Sequence, residues 1–250
     1  MLPELRSKLR PDLDVASIKE THGIPILLNP RYLDGDNARY MKMYDRMSPG
    51  YDVAETLIGK LKGYSTQIAA LRGELMRQLE WRDDASVLYV SIGTGKDLQF
   101  IPPGIDKSTL RIFGADISLG MLRKCQRKHG PKSGAKLNLS LVNCCAEDLP
   151  FRDNAFDIVF HVGGINFFND RPRALAEMLR VAKPGTKLLV ADETADYIET
   201  QYKRSTLTKK HFAGKIFALD TLKKEIPATV RDLQTTLLWD GRFYCITFRK

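Results

Sequence analysis

A short apolar run that stops at two closely spaced glycines constrains this chain more than any other stretch. Residues 87–90 favour a β-strand, and Gly93 and Gly95 follow within five positions. About twenty residues further on, a second apolar run, 110–115, ends on Asp116. The pattern predicts a strand entering a tight turn whose backbone a ligand can approach, beside a second strand that presents a carboxylate to a ribose. It indicates a site for a cofactor that contains a nucleoside.

Two classes of cofactor share this geometry. A dinucleotide site is expected to have a third glycine and a full helix whose N-terminus holds the pyrophosphate. Here Leu98 takes the place of the third glycine, and Pro102 and Pro103 limit any helix to about two turns. S-adenosylmethionine carries no phosphate and needs only close backbone approach and an acid for its ribose. The sequence therefore favours S-adenosylmethionine over NAD.

Several motifs resemble, in order and spacing, those of class I S-adenosylmethionine-dependent methyltransferases. They are the segments 87–97, Asp116, 145–151 and 180–185, the last followed by a predicted strand. Ahead of them, residues 43–52 resemble the signature that precedes the cofactor domain in the UbiE-like quinone methyltransferases. The resemblance covers roughly residues 40–250 and implies a methyltransferase that uses S-adenosylmethionine.

The resemblance also implies which residues hold the cofactor. They are Tyr51, Ser91, Gly93, Thr94, Gly95, Asp97, Asp116, Ile117, Ala146, Glu147 and His161. In the resembled family the tyrosine that matches Tyr51 lies near the methionine end of the cofactor, and the loop that contains Glu147 frames the adenine.

Two residues depart from the family pattern. Tyr89 stands where the family usually has an acid, and Ser91 stands where it usually has a third glycine. The missing acid normally helps to hold the amino-acid end of the cofactor. Asp97, just past the turn, is our candidate to replace it.

The reaction itself makes modest chemical demands. Methyl transfer from a sulfonium is an in-line displacement, so positioning and exclusion of water are the main tasks. A carbon or oxygen acceptor on a quinol-like ring would gain from a general base, and His161 is our first candidate because its ordinary pKa lies near neutrality. Tyr44 is a second catalytic candidate, and His211 a weaker one. A histidine inside an apolar strand is also often purely structural.

Alternation of strand and helix patterns predicts an α/β fold. The predicted parallel strands are 87–90, 110–116, 137–143, 156–162 and 187–191, and an Asp-Gly turn at 240–241 joins a final hairpin. With the resemblance, this predicts a Rossmann-like seven-stranded methyltransferase sheet with helices on both faces and a C-terminal antiparallel hairpin. A helical or extended segment precedes it.

At 250 residues one domain with accessory segments is expected. We assign residues 1–52 to an N-terminal extension and cofactor-mouth segment, and residues 53–250 to the methyltransferase domain. Residues 193–226 have no clean period and read as a lid or acceptor-site insertion. We expect residues 40–52 and 193–216 to close together over the cofactor and to define the acceptor pocket.

The net charge of +9 raises the question of an anionic partner. Two basic clusters, 121–136 and 201–216, contain no acid; the first is readily explained as a solvated face, and the second falls in the predicted lid. The favoured function is methyl transfer to a small, apolar, ring-containing acceptor. An RNA methyltransferase that uses the basic lid, and a cofactor-binding protein without catalysis, remain alternatives, so nucleic acid is a possible but not favoured partner.

The remaining composition points to an ordinary globular protein. The four cysteines show no C-x-x-C spacing, and the histidines at 22, 129, 161 and 211 form no cluster, so no metal is predicted. No apolar run approaches the ~20 residues that span a bilayer, and residues 1–10 lack a signal-peptide core, which favours a cytoplasmic protein without integral membrane association. No sequence signal indicates an oligomeric state.

Overall fold

The computed structural model describes residues 3–61, 63–134, 137–200 and 218–250, which are organised around a seven-stranded sheet. The strands are β1 Glu20–Thr21, β2 Ile24–Pro25, β3 Ser86–Val90, β4 Arg111–Asp116, β5 Asn138–Asn143, β6 Ile158–Val162, β7 Lys187–Glu193, β8 Arg231–Leu238 and β9 Phe243–Arg249. The α-helices are α1 Pro3–Lys8, α2 Gly35–Met47, α3 Tyr51–Leu61, α4 Ser65–Arg77, α5 Leu119–His129, α6 Arg171–Val181, α7 Ala195–Ile198 and α8 Leu219–Glu225.

The strand order in the large sheet is β5-β4-β3-β6-β7-β9-β8. The first five of these strands are parallel, and β9 runs antiparallel to both β7 and β8. The order reverses between β3 and β6, and ligands of such sheets sit outside the carboxyl ends of the strands at that point. The predicted Rossmann-like sheet with a C-terminal antiparallel hairpin is confirmed.

The hairpin forms at the predicted Asp-Gly turn. Asp240 and Gly241 both have positive φ angles, 54° and 78°, as a two-residue turn with the twist of its flanking strands requires. The amide of Arg242 closes the turn on the carbonyl of Trp239 at 3.1 Å. Local sequence therefore determines where β8 ends and β9 begins.

Helices cover both faces of the sheet. Successive side chains of a strand point to opposite faces, and along β6 Val159 joins one buried cluster while Phe160 joins the other. The first cluster includes Leu175 of α6, and the second includes Leu75 of α4. Strands covered on both sides need apolar residues at nearly every position, which explains the continuous apolar runs in the sequence.

The N-terminal segment is more regular than its sequence suggests. Residues 1–39 show no sustained period, yet Leu5 of α1 and Leu9, directly after it, are buried in the first core cluster. α2 begins at Gly35, and the amide of Leu27 donates to the carbonyl of Asn143 at 2.8 Å, so this segment extends the edge of the large sheet. Tertiary contacts, not local propensity, order it. The division into residues 1–52 and 53–250 stays a prediction.

The edges of several elements differ from the prediction. β7 continues past Ala191 because Asp192 and Glu193 still pair with Tyr244 and Phe243 of β9. The proposed lid, 193–226, contains α7 and α8. Residues 201–217, which include His211 and the basic cluster 201–216, lie outside the described residues, so the lid stays a prediction.

The packing of α6 on the sheet leads to a stability prediction. Leu175 is fully buried, so Leu175→Ala should lower the free energy of unfolding by about 2 to 5 kcal/mol, because a cavity replaces the side chain. Leu233→Ala is the matched control: that side chain is 46% exposed on β8 and should change the free energy by no more than about 0.5 kcal/mol. Urea denaturation measures both, and equal values for the two variants would contradict this packing.

Candidate active site

A cavity of about 640 Å³ opens at the carboxyl ends of the parallel strands. Each of those strands contributes to its lining through the residues at or just after its end, among them Ser91, Asp116, Cys144, Val162 and Asp192. This is the size and position expected for a small-molecule site in a sheet of this kind. A second cavity of about 420 Å³ lies beside the N-terminal segment, around Arg10 and Asp148, away from the glycine turn.

Most of the residues proposed from the sequence line the larger cavity. They are Tyr44, Tyr51, Ser91, Gly93, Thr94, Asp97, Asp116, Ile117, Ala146 and Glu147. Gly95 and His161 do not line it. The roles of the ten lining residues in cofactor binding or catalysis remain proposals.

The turn after β3 presents bare backbone to the cavity. Gly93 has a φ of 56°, and an added Cβ would meet no atom within 4 Å, so open space lies in front of it. Ser91 also has a φ of 56°. Its backbone therefore takes the left-handed conformation that favours glycine, the residue usual at this position in the resembled family.

Gly95 packs closely against the helix α5. Its φ is 73°, and an added Cβ would lie 2.8 Å from Cys125 Sγ and 2.8 Å from His129 Cδ2. Both neighbours belong to α5, so this glycine lets the turn pack against the helix. An added Cβ would point towards α5 rather than into the cavity, and a role of Gly95 in cofactor binding stays a prediction.

Asp116 holds the turn from the neighbouring strand. Its Oδ2 accepts from the Gly93 amide at 2.8 Å, and its Oδ1 accepts from the Ser118 amide at 2.8 Å. Ser118 in turn caps α5 by accepting from the Met121 amide at 3.2 Å. Burial raises the pKa of Asp116 to about 6, although the two amide hydrogen bonds oppose that rise.

Tyr89, Asp97 and Arg72 form a buried network at one end of the cavity. Arg72 Nη1 lies 2.7 Å from each carboxylate oxygen of Asp97, and the Tyr89 hydroxyl donates to the same carboxylate. Burial, then the charge of Asp97, raises the pKa of Tyr89 well above its ordinary value, so the hydroxyl stays protonated. Sequence reasoning missed Arg72, which comes from the helix before β3.

Two aspartates attach the segment 43–52 to the rest of the domain through hydrogen bonds. Asp45 Oδ1 accepts from the Ser118 hydroxyl at 2.6 Å and from the Gly120 amide at 2.8 Å, at the N-terminus of α5, where a negative charge is favourable. Asp52 Oδ1 accepts from the Thr94 hydroxyl of the glycine turn at 2.8 Å. This segment is thus attached both to α5 and to the turn.

Aromatic rings from this part of the chain and from the loop after β6 form one wall of the cavity. The Tyr44 and Tyr51 rings meet edge to face with centroids 6.0 Å apart, and Tyr40 lies 4.7 Å from Phe167 by the same measure. All four residues line the cavity. The wall is apolar but carries hydroxyl groups, as expected around a ring-containing ligand.

Glu147 lines the cavity after β5 and is almost fully buried. Its Oε1 accepts from Asn37 Nδ2 at 2.9 Å and from the Asp170 amide at 3.4 Å. Burial raises its pKa, against the opposing effect of the Asn37 hydrogen bond. Glu147 therefore ties α2 to the start of α6. Asn37 is a lining residue that sequence reasoning missed.

His161 does not reach the cavity. It is fully buried, on the same face of β6 as Val159, and its ring stacks on Phe168 with centroids 5.2 Å apart. Neither ring nitrogen has a hydrogen-bond partner among the described residues, and burial lowers the pKa of His161 to about 3. The neutral ring points into the core, away from the cavity, and the roles of His161 as base and cofactor ligand stay predictions that this placement does not support.

Asp192 and Glu193 line the cavity instead, and sequence reasoning missed both. Asp192 Oδ2 accepts from the amides of Gly164 and Asn166 at 3.0 and 3.1 Å, and its Oδ1 accepts from the Glu193 amide at 2.8 Å. Burial raises the pKa of Asp192 to about 6. Two acids directly after a predicted parallel strand were the available signal, because such strand ends meet at the ligand edge.

Other structural observations concern metals and membranes. Within the described ranges no group of three or more His, Cys, Asp or Glu side chains could hold a metal ion. All four cysteines are buried and unbridged. Across the same part of the chain, no helix combines the length and the apolar character needed to span a bilayer.

Residues 88–190 match a family model described as a methyltransferase domain. The chain is 33% identical over 153 residues to the demethylmenaquinone methyltransferase of Renibacterium salmoninarum, covering 60% of this chain and 56% of that relative. It is 27% identical over 155 residues to the ubiquinone/menaquinone biosynthesis C-methyltransferase UbiE of Geotalea daltonii, covering 62% and 63%. The chain thus spans less than two thirds of the length of these relatives.

A solved structure shows the same fold. The SAM-dependent methyltransferase of Aquifex aeolicus superposes with a TM-score of 0.55 at 16% sequence identity, covering 71% of this chain and 88% of that chain. At this identity the likeness concerns the fold alone. Sequence motifs, sheet order and sequence matches agree: residues 88–190 are a methyltransferase domain, and the chain is similar to the UbiE-like enzymes.

Proposed function

We propose that this protein transfers the methyl group of S-adenosylmethionine to a quinone-like ring. One observation carries the proposal: a single cavity joins the Gly93 turn and Asp116 at one side to the aromatic wall of Tyr40, Tyr44 and Tyr51 at another. The first side suits a nucleoside, and the second suits an apolar ring. The names of the relatives, which are methyltransferases of quinone biosynthesis, support the same acceptor class.

The residues present fit S-adenosylmethionine. Gly93 leaves room for close approach, and the Asp116 carboxylate has lone pairs left for the ribose hydroxyls after accepting two amides. We place the adenine beside Ala146 and Glu147. When bound, the cofactor supplies an electrophilic methyl group on its sulfonium.

We assign the amino-acid end of the cofactor to Arg72 and Asp97. That end is a zwitterion, and the ion pair, with an Nη1–Oδ1 distance of 2.7 Å, offers a cation for its carboxylate and an anion for its ammonium. Tyr89 stands where the family usually has an acid, and its hydroxyl donates a hydrogen bond to the Asp97 carboxylate. The Arg72 guanidinium thus helps to bind the amino-acid end of the cofactor, which an acid usually binds in the resembled family.

We assign the general-base role to Asp192 in place of His161. Burial raises its pKa to about 6, so Asp192 is ionised at neutral pH but basic enough to take a proton from a ring hydroxyl. Tyr44 stays protonated, because burial and the nearby Tyr51, Glu193 and Asp192 raise its pKa well above the ordinary value. Tyr44 then acts as a hydrogen-bond donor that orients the ring.

The alternatives predict different behaviour. An RNA methyltransferase would bind RNA with a strong dependence on salt, and a protein without catalysis would bind the cofactor and transfer nothing. The structure offers the aromatic wall as support for a small ring, whereas the basic cluster 201–216 on which the RNA alternative depends lies outside the described residues.

Labelled cofactor distinguishes these functions. The protein is incubated with methyl-labelled S-adenosylmethionine and fractionated cell extract, and label should enter the lipid fraction. Asp192→Asn should transfer label about 100-fold more slowly, because it removes the base. A variant that still binds the cofactor shows that the loss of an acceptor for the neighbouring amides has not disrupted the site. Label in RNA, or none in any fraction, would contradict the proposal.

The burial of Asp116 predicts how cofactor affinity depends on pH. Its folded pKa of about 6 means that the carboxylate is ionised above that pH and protonated below it. Affinity should therefore fall as pH decreases through about 6, by up to about tenfold per pH unit, because the neutral acid is the weaker acceptor.

Calorimetry with Asp116→Asn provides the control for this pH effect. The variant should bind at least about tenfold more weakly near neutral pH and lose the Asp116 part of the pH dependence. A folded variant with the affinity and pH profile of the original protein would show that Asp116 does not bind the ribose.

The assignment of Arg72 is tested with two ligands. Arg72→Met should weaken S-adenosylmethionine binding at least about tenfold, because a charge-assisted hydrogen bond is lost. It should leave the affinity for 5′-methylthioadenosine nearly unchanged, because that ligand lacks the amino-acid end. Arg77→Met, in the same helix but with a side chain 66% exposed, is the matched control. Equal losses for both ligands would mean that Arg72 only supports the fold.

A further inference from the structure

The outer face of α3 carries an apolar stripe that faces solvent. Val53, Leu57 and Leu61 follow one another at intervals of four residues, so they lie on one side of the helix. They are 71%, 55% and 78% exposed. Lone exposed apolar residues are ordinary, but an aligned stripe of three marks a contact surface.

The inner face of the same helix belongs to the cavity. Tyr51, Ala54 and Ile58 line it, so α3 is a wall one helix thick between the cavity and the surroundings. A surface helix normally has one apolar face and one polar face. In α3 the polar side holds Asp52, Thr56 and Lys60, and the apolar side is broader than the part that lines the cavity, so the stripe remains exposed next to the lining residues. Such an exposed apolar stripe is expected when an apolar phase covers it.

Cations surround the start of α3. The Lys124 ammonium donates to the carbonyls of Ser48 and Pro49 at 3.0 Å each, and the Lys128 ammonium lies 3.3 Å from Asp52 Oδ2. These contacts place the basic helix α5 directly beside the N-terminal end of α3. α5 contains four basic residues and no acid over Leu119–His129.

The acids and the exposed basic residues near α3 have different surroundings. Asp45 and Asp52 are each engaged by a hydrogen-bond donor, Asp45 by the start of α5 and Asp52 by the glycine turn. Arg123 and Arg127 of α5 are exposed, as is Lys60 of α3. The exposed cations of α3 and of the helix that contacts its start complement an anionic partner.

We propose that the outer face of α3, flanked by α5, docks on an anionic lipid bilayer. Val53, Leu57 and Leu61 enter the boundary between headgroups and acyl chains, while Arg123 and Arg127 meet lipid phosphates. Lys60, one turn from Leu57, reaches back to the headgroups along its aliphatic stem. The inference goes beyond the proposed function, because it concerns where the protein sits and needs neither cofactor nor acceptor.

Co-sedimentation with vesicles tests the apolar stripe. The full chain should bind phosphatidylcholine vesicles that contain phosphatidylglycerol. The triple variant Val53→Ser, Leu57→Ser and Leu61→Ser should bind them at least about tenfold more weakly, because the apolar area that enters the bilayer is lost. The matched control is Leu233→Ser with Leu237→Ser, two exposed leucines on β8, which should bind like the original protein.

The charge is tested separately. Arg123→Gln with Arg127→Gln should reduce binding to the anionic vesicles about tenfold or more, and added salt should weaken binding of the original protein. Circular dichroism and thermal melting verify the fold of each variant, and the single variant Leu61→Ser, at the end of α3, replaces the triple variant if that one does not fold.

Three results would overturn the docking proposal. They are no binding of the original protein to anionic vesicles, binding that the stripe variants leave unchanged, and a dimer in solution that the stripe variants convert to a monomer. The last result would assign the stripe to a second copy of the chain. All of these measurements are made without methyl transfer, so their outcome is independent of the proposed reaction.

Discussion

The hydrogen bond from the Gly93 amide to the Asp116 carboxylate is the contact on which the rest of the site depends. It joins the turns after β3 and β4, two adjacent parallel strands, and so shapes the edge where the cavity opens. The other oxygen of the same carboxylate accepts from Ser118 at the start of α5. The buried Asp116 carboxylate thus connects two turns and the start of a helix. Burial of its charge raises its pKa to about 6.

The signature 43–52 gains a physical meaning from the structure. Asp45 binds the start of α5 and Asp52 binds the glycine turn, while Tyr44 and Tyr51, each directly before one of these acids, line the cavity. These two attachments help to fix the position of the aromatic wall relative to the Gly93 turn and Asp116. The acids of the motif therefore attach the segment, and this attachment positions its aromatic residues at the cavity.

Charge is distributed so that each surface suits a different ligand. Acids line the cavity, with Asp116, Asp192 and Glu147 all buried there, and this arrangement favours a cofactor that carries a sulfonium cation. The chain as a whole has a net charge of +9, and exposed cations such as Arg123 and Arg127 lie on α5. A positively charged protein with an acidic interior can hold a cationic ligand and still approach an anionic surface.

The sequence by itself determined the sheet, the glycine turn, the Asp-Gly hairpin and Asp116 at the cavity, because strand periodicity and turn chemistry are local. Only the tertiary structure decided which side chains face the ligand. His161 on β6 points into the core, whereas Asp192 of the adjacent strand reaches the cavity. His161 pairs with Val190, and Asp192 lies two residues further along the same face, so distance along the strand and not the face separates the core position from the cavity position. Arg72 meets Asp97 from 25 residues away. Such encounters depend on how separate elements pack, which no local pattern encodes.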